Sequence, residues 1–409
     1  MAAPTQTGPQ AAKGIHAQCV WEAVDRDLPT VDLFHEAGIA WPRCESALYW
    51  RRLSEAAWRH APVAALGSIP GGGNRCTGNS RISPLTSEII DIRRFDAQTF
   101  TPLLETESRV WNQELRWDFG PTSRIISKCL REMRLAGYAL VSEGKPQGYC
   151  FFYYDGEKGL IGDLFLDPSA AGIDSAQRLL NHVLETLLGT PGLRRVESQL
   201  PHFAFEALEA SFRSYGFRSY HRRFMFRTLG APRQDPSSSI SLEGGVGSPS
   251  RDGFSVLPWE RAHDREAAEL LYHTYRHHVD AGINDQYSSL AGTTRLIENI
   301  VLQQGCGEYL PRISRVVVHC PTQRLAGLLA VTAVRSHTAH IPQVAIPPPF
   351  QGRGLGTLLM ESAFQDLAAQ GFEEISLTVT DANAGAVRLY DRLGFKTFRE
   401  FGAFVYQRR

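Results

Sequence analysis

The sequence predicts an α+β fold built from two tandem domains, each with a mixed, mostly antiparallel central sheet flanked by helices. Three observations support this prediction. The 409 residues exceed the usual length of one domain. A stretch dominated by Gly, Pro and Ser, residues 230–253, divides the chain and has almost nothing to bury. The order of strands and helices after this stretch also occurs, more faintly, before it.

These observations divide the chain into four parts. Residues 1–85 match neither half, and we interpret them as a poorly ordered extension or as a stretch upstream of the true translation start. Residues 86–229 form the first predicted domain and residues 254–409 the second. Residues 230–253 form the linker between them.

The second domain opens with a strand and a helix, followed by a group of strands. Residues 254–259 read as a strand and 263–279 as an amphipathic helix. Two apolar runs of β type, 315–320 and 324–334, are separated by three residues and predict a hairpin. A further strand, 340–346, leads into a glycine-rich loop.

The elements after this loop follow the same logic. Leucine and alanine residues from Leu355 to Leu367 recur at helical spacing, and Gly371 is placed to end that helix. Residues 375–380 alternate apolar and polar side chains, as a half-buried strand does. A last helix ends at Gly394, and residues 403–408 read as the final strand.

The first domain repeats this order. Residues 88–95 read as a strand and 137–166 as a meander of strands. Residues 175–189 and 206–217 read as helices, the second ending in Gly216-Phe217.

Composition limits the partners. Lys and Arg number 43, as do Asp and Glu, so the chain offers no net attraction for nucleic acid or an anionic membrane. We therefore expect a small-molecule or protein partner. The seven cysteines are scattered and form no C-x-x-C pair, which indicates reduced thiols in a cytoplasmic protein. No apolar run approaches the ~18 residues that a membrane-spanning helix requires. No pattern indicates the oligomeric state.

The stretch FQGRGLGTLLM, residues 350–360, carries the first chemical signal. Gly352, Gly354 and Gly356 open a helix, where unpaired N–H groups and the helix dipole favour a bound phosphate. Taken alone, the stretch is equally compatible with a glycine-rich turn that binds nothing.

A second motif indicates what this loop binds. Gln351, Gly354 and Gly356 resemble the phosphate-loop signature of the GNAT superfamily of acyl-CoA-dependent N-acyltransferases. About thirty residues later, the pattern of the family's last helix is matched by Asn383, Ala386, Leu389, Tyr390, Gly394 and Phe395. The resemblance covers residues 254–408 well and 88–229 loosely.

The resemblance implies a binding site for acetyl-CoA as acyl donor and no metal. The strand before the loop would contact the pantetheine arm, and the loop would bind the pyrophosphate. The residues that the resemblance assigns to acetyl-CoA are Val344, Ala345, Ile346, Gln351, Gly352, Arg353, Gly354, Leu355, Gly356, Thr357, Asn383 and Tyr390. Asn383 is equally well placed to cap the last helix.

Acyl transfer requires an acid and a route for a proton. An amine with a pKa near ~10.4 is protonated at neutral pH, so a base or a water chain must deprotonate it. His340, at the start of the strand before the loop, is our candidate base because of its intrinsic pKa. Tyr390 resembles the tyrosine with which the family protonates the departing thiolate.

The first domain departs from the pattern. Our sequence alignment sets Ala171, Asp174 and Ala176 against Gln351, Gly354 and Gly356, and it sets Phe212 against Tyr390. A carboxylate in the loop repels a diphosphate, and phenylalanine lacks the hydroxyl. We therefore interpret this half as a degenerate copy that shapes or stabilises its partner. One working half in a tandem pair is similar in architecture to mycothiol synthase.

The acceptor is less well specified. In this fold the segment at 280–289 lines the acceptor pocket, which makes Asp280, Asn284 and Tyr287 candidate contacts. His273 and His277 have metal-ligand spacing, but without an H-E-x-x-H frame we read them as a polar helix face.

We expect the acceptor to be a primary amine of a small molecule or a peptide. One alternative is a protein N-terminal or lysine acetyltransferase. A second is an acyl-CoA-responsive binding module without turnover.

Overall fold

The computed structural model describes residues 87–169, 172–230, 250–251, 253–302 and 306–408. The predicted extension at 1–85 and nearly all of the predicted linker lie outside these residues. Within the part that the structure describes, no helix is both long enough and apolar enough to span a bilayer.

The N-terminal half begins with a short strand and two helices, then a three-stranded antiparallel meander whose first strand also pairs with β1. Its elements are β1 (Glu88–Asp91), α1 (Ala97–Glu114), α2 (Gly120–Arg131), β2 (Ala136–Ser142), β3 (Lys145–Asp155), β4 (Lys158–Leu166), α3 (Ile173–Gly189), β5 (Arg195–Gln199), α4 (Phe205–Ser214) and β6 (Arg218–Thr228).

The C-terminal half repeats this order with an additional helix and two additional short strands. Its elements are β7 (Ser250–Arg251), β8 (Phe254–Pro258), α5 (Asp264–Tyr275), α6 (Val279–Ile283), α7 (Leu290–Val301), β9 (Glu308–Tyr309), β10 (Arg315–His319), β11 (Arg324–Arg335), β12 (Thr338–Ala345), α8 (Leu355–Ala369), β13 (Glu374–Thr380), α9 (Ala384–Arg392) and β14 (Lys396–Gln407).

All these strands join one mixed sheet, and the two halves exchange their last strands within it. Strand β6 of the N-terminal half pairs with β13, and strand β14 of the C-terminal half pairs with β5. Strands β6 and β14 also pair with each other, which gives the central order β5-β14-β6-β13. Each half therefore completes the sheet of the other.

The exchange extends to the cores. Phe404 of β14 stacks on Phe212 of α4, with ring centroids 4.0 Å apart, inside the core of the N-terminal half. Met225 of β6 is fully buried in the core of the C-terminal half. Helices cover both faces of the sheet: α1 and α2 lie opposite α3 and α4 in one half, and α5 and α7 lie opposite α8 and α9 in the other.

The predicted α+β class with two GNAT-like halves agrees with this architecture, and three details differ from the predicted elements. The helix predicted over 263–279 ends at Tyr275, so His277 lies beyond the helix that carries His273. The final strand begins at Lys396 rather than 403. Helices α1 and α2 were not identified from the sequence, although Asp96 caps α1 by accepting a 2.7 Å hydrogen bond from the Thr99 N–H.

Candidate active site

Strands β12 and β13 are parallel and separate part way along their length. They pair from Thr338 opposite Glu374 to Ile341 opposite Leu377, and no further. Strand β12 continues to Ala345, with a register shift against β11 in between. Beyond Ile341, β12 therefore presents to β13 an edge without strand partners, which an extended ligand can join.

The glycine loop lies directly after this open edge. Gly352 (φ 74°) and Gly354 (φ 77°) adopt the left-handed conformation, which favours glycine. The Gln351 side chain closes the loop by donating a 2.8 Å hydrogen bond from Nε2 to the carbonyl of Ile346. Helix α8 starts after Gly354 without a side-chain cap, so its first N–H groups remain available to an anion.

Several predicted acetyl-CoA residues have more than one structural role. The carbonyl of Val344 already accepts a 3.0 Å hydrogen bond from the Tyr275 hydroxyl. A Cβ atom at Gly356 would lie 3.2 Å from Cδ2 of Leu389, so this glycine permits the close packing of α8 on α9. The Leu355 side chain is buried in the core, which leaves only its backbone to a ligand.

The remaining loop residues are accessible. Gln351, Gly352 and Arg353 are exposed, and Thr357 is half-buried in the first turn of α8. The Arg353 guanidinium lies 5.8 Å from the ring centroid of Phe254. Ala345 is buried and Ile346 half-buried, at the end of the open edge.

Tyr390 is a buried residue of α9 and lies close enough to Asp280 and Tyr275 for their charges to interact. Asn383 caps this helix by accepting a 3.2 Å hydrogen bond from the Ala386 N–H, so the capping role is present in the structure. Burial raises the pKa of Tyr390 above its ordinary value, and the Asp280 carboxylate adds to the shift. The hydroxyl is therefore protonated at neutral pH, as a proton donor must be.

His340 lies in an environment that argues against a role as base. Its Nδ1 is 2.9 Å from Oγ of Ser376, and the Trp117 ring lies 5.2 Å away. Burial, with the charge of Arg222 adding to it, lowers the pKa of His340 to about 3. Its side chain is also not among those that line the polar cavity described next.

A cavity of about 290 Å³ lies beside the strand gap. The three predicted acceptor residues, Asp280, Asn284 and Tyr287, all line it. The Tyr287 hydroxyl donates a 2.8 Å hydrogen bond to Oε1 of Gln343, on β12. The ring of Tyr287 stacks on Tyr275 with centroids 4.5 Å apart, which fixes the wall of the cavity.

Asp280 is the cavity carboxylate that acts on Tyr390. It accepts a 2.6 Å hydrogen bond from Oγ1 of Thr380. Burial raises the pKa of Asp280, but hydrogen bonding to His278, the charge of Arg222 and the bond from Thr380 outweigh it, so the pKa lies below its ordinary value. Asp280 therefore holds a negative charge at neutral pH.

The N-terminal half supplies part of the same cavity, which the sequence did not indicate. Lys158, Glu197 and Gln199 line it together with Arg222 of β6. Lys158 Nζ lies 2.6 Å from Oδ1 of Asp285, and Arg222 donates a 2.9 Å hydrogen bond to Oε1 of Gln199. These contacts join residues more than twenty positions apart, so no local pattern could reveal them.

Two buried amides face this cavity without a partner. Among the described residues, Nδ2 of Asn299 and Nε2 of Gln286 have no hydrogen-bond acceptor, although both side chains are more than nine-tenths buried and line the cavity. Unsatisfied buried donors are rare in folded proteins, and a ligand with oxygen acceptors would satisfy them.

The N-terminal half keeps the strand geometry but not the loop. Strands β4 and β5 also pair in parallel over four positions, from Lys158 opposite Arg195 to Ile161 opposite Ser198. Gly172, which begins α3, follows Lys158 by 14 positions, whereas Gly354 follows Thr338 by 16. The loop is therefore two residues shorter.

This geometry corrects the sequence alignment. Gly172 stands opposite Gly354, and the exposed Asp174 stands opposite Gly356 rather than Gly354. Ala171 lies outside the described residues, and Ala176 is buried in the core. Phe212 stands opposite Tyr390 as expected, since each precedes by four positions the left-handed glycine that follows its helix.

Comparison with solved structures identifies the fold. The GCN5-related N-acetyltransferase from Sphaerobacter thermophilus aligns with a TM-score of 0.54 at 13% identity, over 78% of this chain and 95% of that one. A tandem GNAT protein from the clavulanic acid biosynthesis pathway aligns with a TM-score of 0.50 at 15% identity, over 79% and 98%. At these identities the likeness concerns the fold alone, which is that of a tandem GNAT protein.

Comparison of sequences identifies the family. Residues 268–395 match the Acetyltransferase (GNAT) family, so this segment belongs to it and the resemblance seen in the motifs is confirmed. The [ribosomal protein bS18]-alanine N-acetyltransferase of Salmonella typhimurium is 39% identical over 66 residues, which are 16% of this chain and 45% of that protein. The mycothiol acetyltransferase of Gordonia bronchialis is 46% identical over 52 residues, 13% of this chain and 17% of that protein. The matches thus span less than half of each relative.

Proposed function

We propose that the C-terminal half transfers an acetyl group from acetyl-CoA to a primary amine. The observation that carries this proposal is that the open edge of β12 leads into the uncapped N-terminus of α8, beside a polar cavity whose Asp280 lies close enough to Tyr390 to raise the pKa of its hydroxyl. The N-terminal half keeps the strand gap but has neither the full-length loop nor the tyrosine.

The donor would lie along the open edge. In this proposal, backbone groups of Ala345 and Ile346 pair with the pantetheine arm at the end of β12, and the first N–H groups of the uncapped α8 bind the diphosphate. The exposed Arg353 guanidinium adds a positive charge beside the loop. The thioester would then lie between Tyr390 and the cavity.

In the reaction, the amine nitrogen forms a bond to the thioester carbonyl carbon, and the carbon–sulfur bond breaks. Tyr390 donates its proton to the departing thiolate of coenzyme A, and it regains a proton from the attacking nitrogen, which loses one as the amide forms. Because a thiol has a pKa near ~8.5, the thiolate is a moderate leaving group and this proton accelerates the reaction rather than enabling it.

The proton of the incoming ammonium needs a different route from the one expected at His340. Asp280 is ionised and faces the cavity, so it can attract the ammonium group by its charge. Its lowered pKa makes it a weak base, and we assign proton removal to a water chain that begins at this carboxylate.

The cavity favours a small polar acceptor. Its volume of about 290 Å³ is at the lower end of the range of small-molecule pockets, ~300–1,000 Å³. Side chains from both halves enclose it, and the unpartnered amides of Gln286 and Asn299 call for acceptor oxygens. An amine that carries hydroxyl or carboxylate groups satisfies both features.

A protein N-terminus is the second candidate acceptor. The observation that favours it is the 39% identity, over 66 residues, to a relative named as an alanine N-acetyltransferase of a ribosomal protein. Both candidates use the same donor site, so only the acceptor assay separates them.

The first test is the stoichiometry of acetyl-CoA binding by isothermal titration calorimetry. We expect one site per chain, lost in Gly354→Glu. Two sites would show that the N-terminal half also binds the donor, and no binding would overturn the proposal.

Thioester consumption with a panel of amino sugars, polyamines and amino acids, compared with a peptide panel, then identifies the acceptor class. Consumption that is slow with every amine would revive the binding-module alternative.

A further inference from the structure

A second groove lies at the opposite end of the central strands from the glycine loop. It has a volume of about 520 Å³ and is lined by the start of β14, the end of β6 and the end of α9. Strands β12 and β13 begin at this end of the sheet and run about 20 Å, at ~3.3 Å per residue, towards the glycine loop. The groove is therefore separate from the proposed acetyl-CoA and acceptor sites.

Positive charge converges on this groove. Four cationic side chains line it: Arg116, Arg227, Arg392 and Lys396. Among the described residues, Glu374 is the acid joined to one of them by an ion pair, and its partner is Arg116. Glu361 lies close enough to Arg227 to act on its charge but does not pair with it.

Two of the cations contact aromatic rings: Arg227, which has no ion pair among the described residues, and Arg116, which also pairs with Glu374. The Arg227 guanidinium lies 3.9 Å from the ring centroid of Phe364. Burial lowers the pKa of Arg227, as expected for a partly desolvated cation without a close anion. The Arg116 guanidinium lies 5.0 Å from the ring of Phe226 and 5.1 Å from that of Phe398. These contacts fix the guanidinium planes.

Phe398 adds an apolar surface to the groove. Its side chain is 41% exposed, one of few large apolar side chains in the described residues with that exposure. A register shift between Thr397 and Arg399 interrupts the pairing of β14 with β6 at this residue. An exposed aromatic ring beside fixed guanidinium groups is a combination that binds phosphates attached to a planar ring.

We infer that this groove is a second ligand site, which binds a small molecule carrying two or more phosphate groups, with Phe398 providing a face for a ring attached to them. Arg227 and Arg392 would contact phosphate oxygens directly, and Lys396 would add a point charge at the rim. The site is independent of acetyl transfer, since none of these residues lines the acceptor cavity or belongs to the glycine loop.

The test is calorimetric titration of the full chain, saturated with coenzyme A so that the glycine loop is filled. Inorganic pyrophosphate and ATP are the probes. We expect one binding event whose affinity falls at least tenfold in Arg392→Glu/Lys396→Glu. The matched control is Arg131→Glu, an exposed charge reversal at the end of α2, which should change the affinity less than twofold.

Each outcome decides the inference. Equal affinities for the two probes would assign the site to phosphate groups alone, whereas tighter ATP binding that is lost in Phe398→Ala would show that the ring is bound as well. No heat with either probe, or unchanged binding in the double variant, would overturn the inference. A failure of coenzyme A to bind would defeat the proposed acetyl transfer without affecting this result, because pyrophosphate probes the groove directly.

Discussion

Lys158 of the N-terminal half places its ammonium nitrogen 2.6 Å from a carboxylate oxygen of Asp285 in the C-terminal half. Lys158 is buried and also lies 3.8 Å from carboxylate oxygens of Asp155 and Glu197, so one cation serves three carboxylates. Beside it, Arg195 donates a 2.9 Å hydrogen bond to the carbonyl of Gly282. The half that lacks the glycine loop thus holds the segment that lines the acceptor cavity.

This arrangement predicts the effect of Lys158→Met. A hydrogen bond to a charged group contributes about 1.5–3 kcal/mol, so its loss should loosen the acceptor segment and raise the KM for the acceptor about tenfold. The KM for acetyl-CoA should stay within about twofold. Steady-state kinetics with each substrate varied in turn measures both values.

The control for this prediction is Lys145→Met, an exposed lysine of the same half that has no part in the cavity. It should leave both constants unchanged. Equal changes in the two KM values of Lys158→Met would show a general loss of stability and contradict the positioning role.

Tyr390→Phe tests the proton donor. Phe212 occupies the equivalent position in the other half, so phenylalanine fits this packing and the variant should fold normally. We expect kcat to fall about 10-fold to 100-fold, the lower part of the range for general acid catalysis, because thiolate leaves without full protonation. Tyr215→Phe removes an exposed hydroxyl bonded to Glu185 and should leave kcat unchanged. An unaltered kcat in Tyr390→Phe would remove the residue from the mechanism.

The glycines at the two ends of α8 provide a matched pair of variants that tests whether the glycine loop binds phosphate. Gly354 (φ 77°) precedes the helix and Gly371 (φ 84°) follows it, so a side chain at either position has the same backbone strain, roughly 1–2 kcal/mol. We expect Gly354→Glu and Gly371→Glu to lower the melting temperature similarly. Acetyl-CoA binding should be lost only in Gly354→Glu. Loss of binding in both would indicate a stability effect rather than a phosphate site.

A buried acid pair in the N-terminal half predicts a dependence of stability on pH. The Tyr149 hydroxyl donates a 2.5 Å hydrogen bond to Glu107, whose pKa is raised well above its ordinary value by burial and by Asp163. Burial raises the pKa of Asp163 to about 6. The unfolded values lie near ~4, so this contribution to stability is complete below about pH 4 and is lost as pH rises through the folded values.

Urea unfolding at pH 5 and pH 8 tests this prediction. The free energy of unfolding should fall between the two pH values in the wild type, and the fall should be smaller in Glu107→Gln, where one titrating group is gone. Glu185→Gln, an exposed carboxylate, should retain the wild-type difference. A wild-type difference preserved in Glu107→Gln would place the pH dependence elsewhere.

The sequence allowed us to predict the parts of the candidate site that lie on single elements. The glycine loop and the last helix have short motifs, because helix starts and left-handed turns require particular residues at fixed spacing. Asp280, Asn284 and Tyr287, which the family resemblance assigned to the acceptor, line one cavity of the structure, and their contact with an acceptor stays a prediction. The assignment to acetyl-CoA itself is still a prediction.

The parts of the candidate site that distant segments form could not be predicted from the local sequence pattern. His340 read as a base because its intrinsic pKa is suitable, but its burial against Trp117 and Ser376 depends on elements far away in the chain. Helix α1 has Glu107 within its buried face, and this charge interrupts the apolar periodicity that would reveal it. The exchange of β6 and β14 could not be predicted from local periodicity. The alternation of apolar residues along a strand shows which face is buried, but it does not specify which strand lies next to it.

That exchange has a consequence for how the molecule is made. Strand β5 emerges from the ribosome nearly two hundred residues before its neighbour β14. Throughout that interval the N-terminal half has a bare sheet edge and a core that lacks Phe404. Neither half has its complete sheet and core during its own synthesis, so we expect the two copies to finish folding together once β14 has emerged.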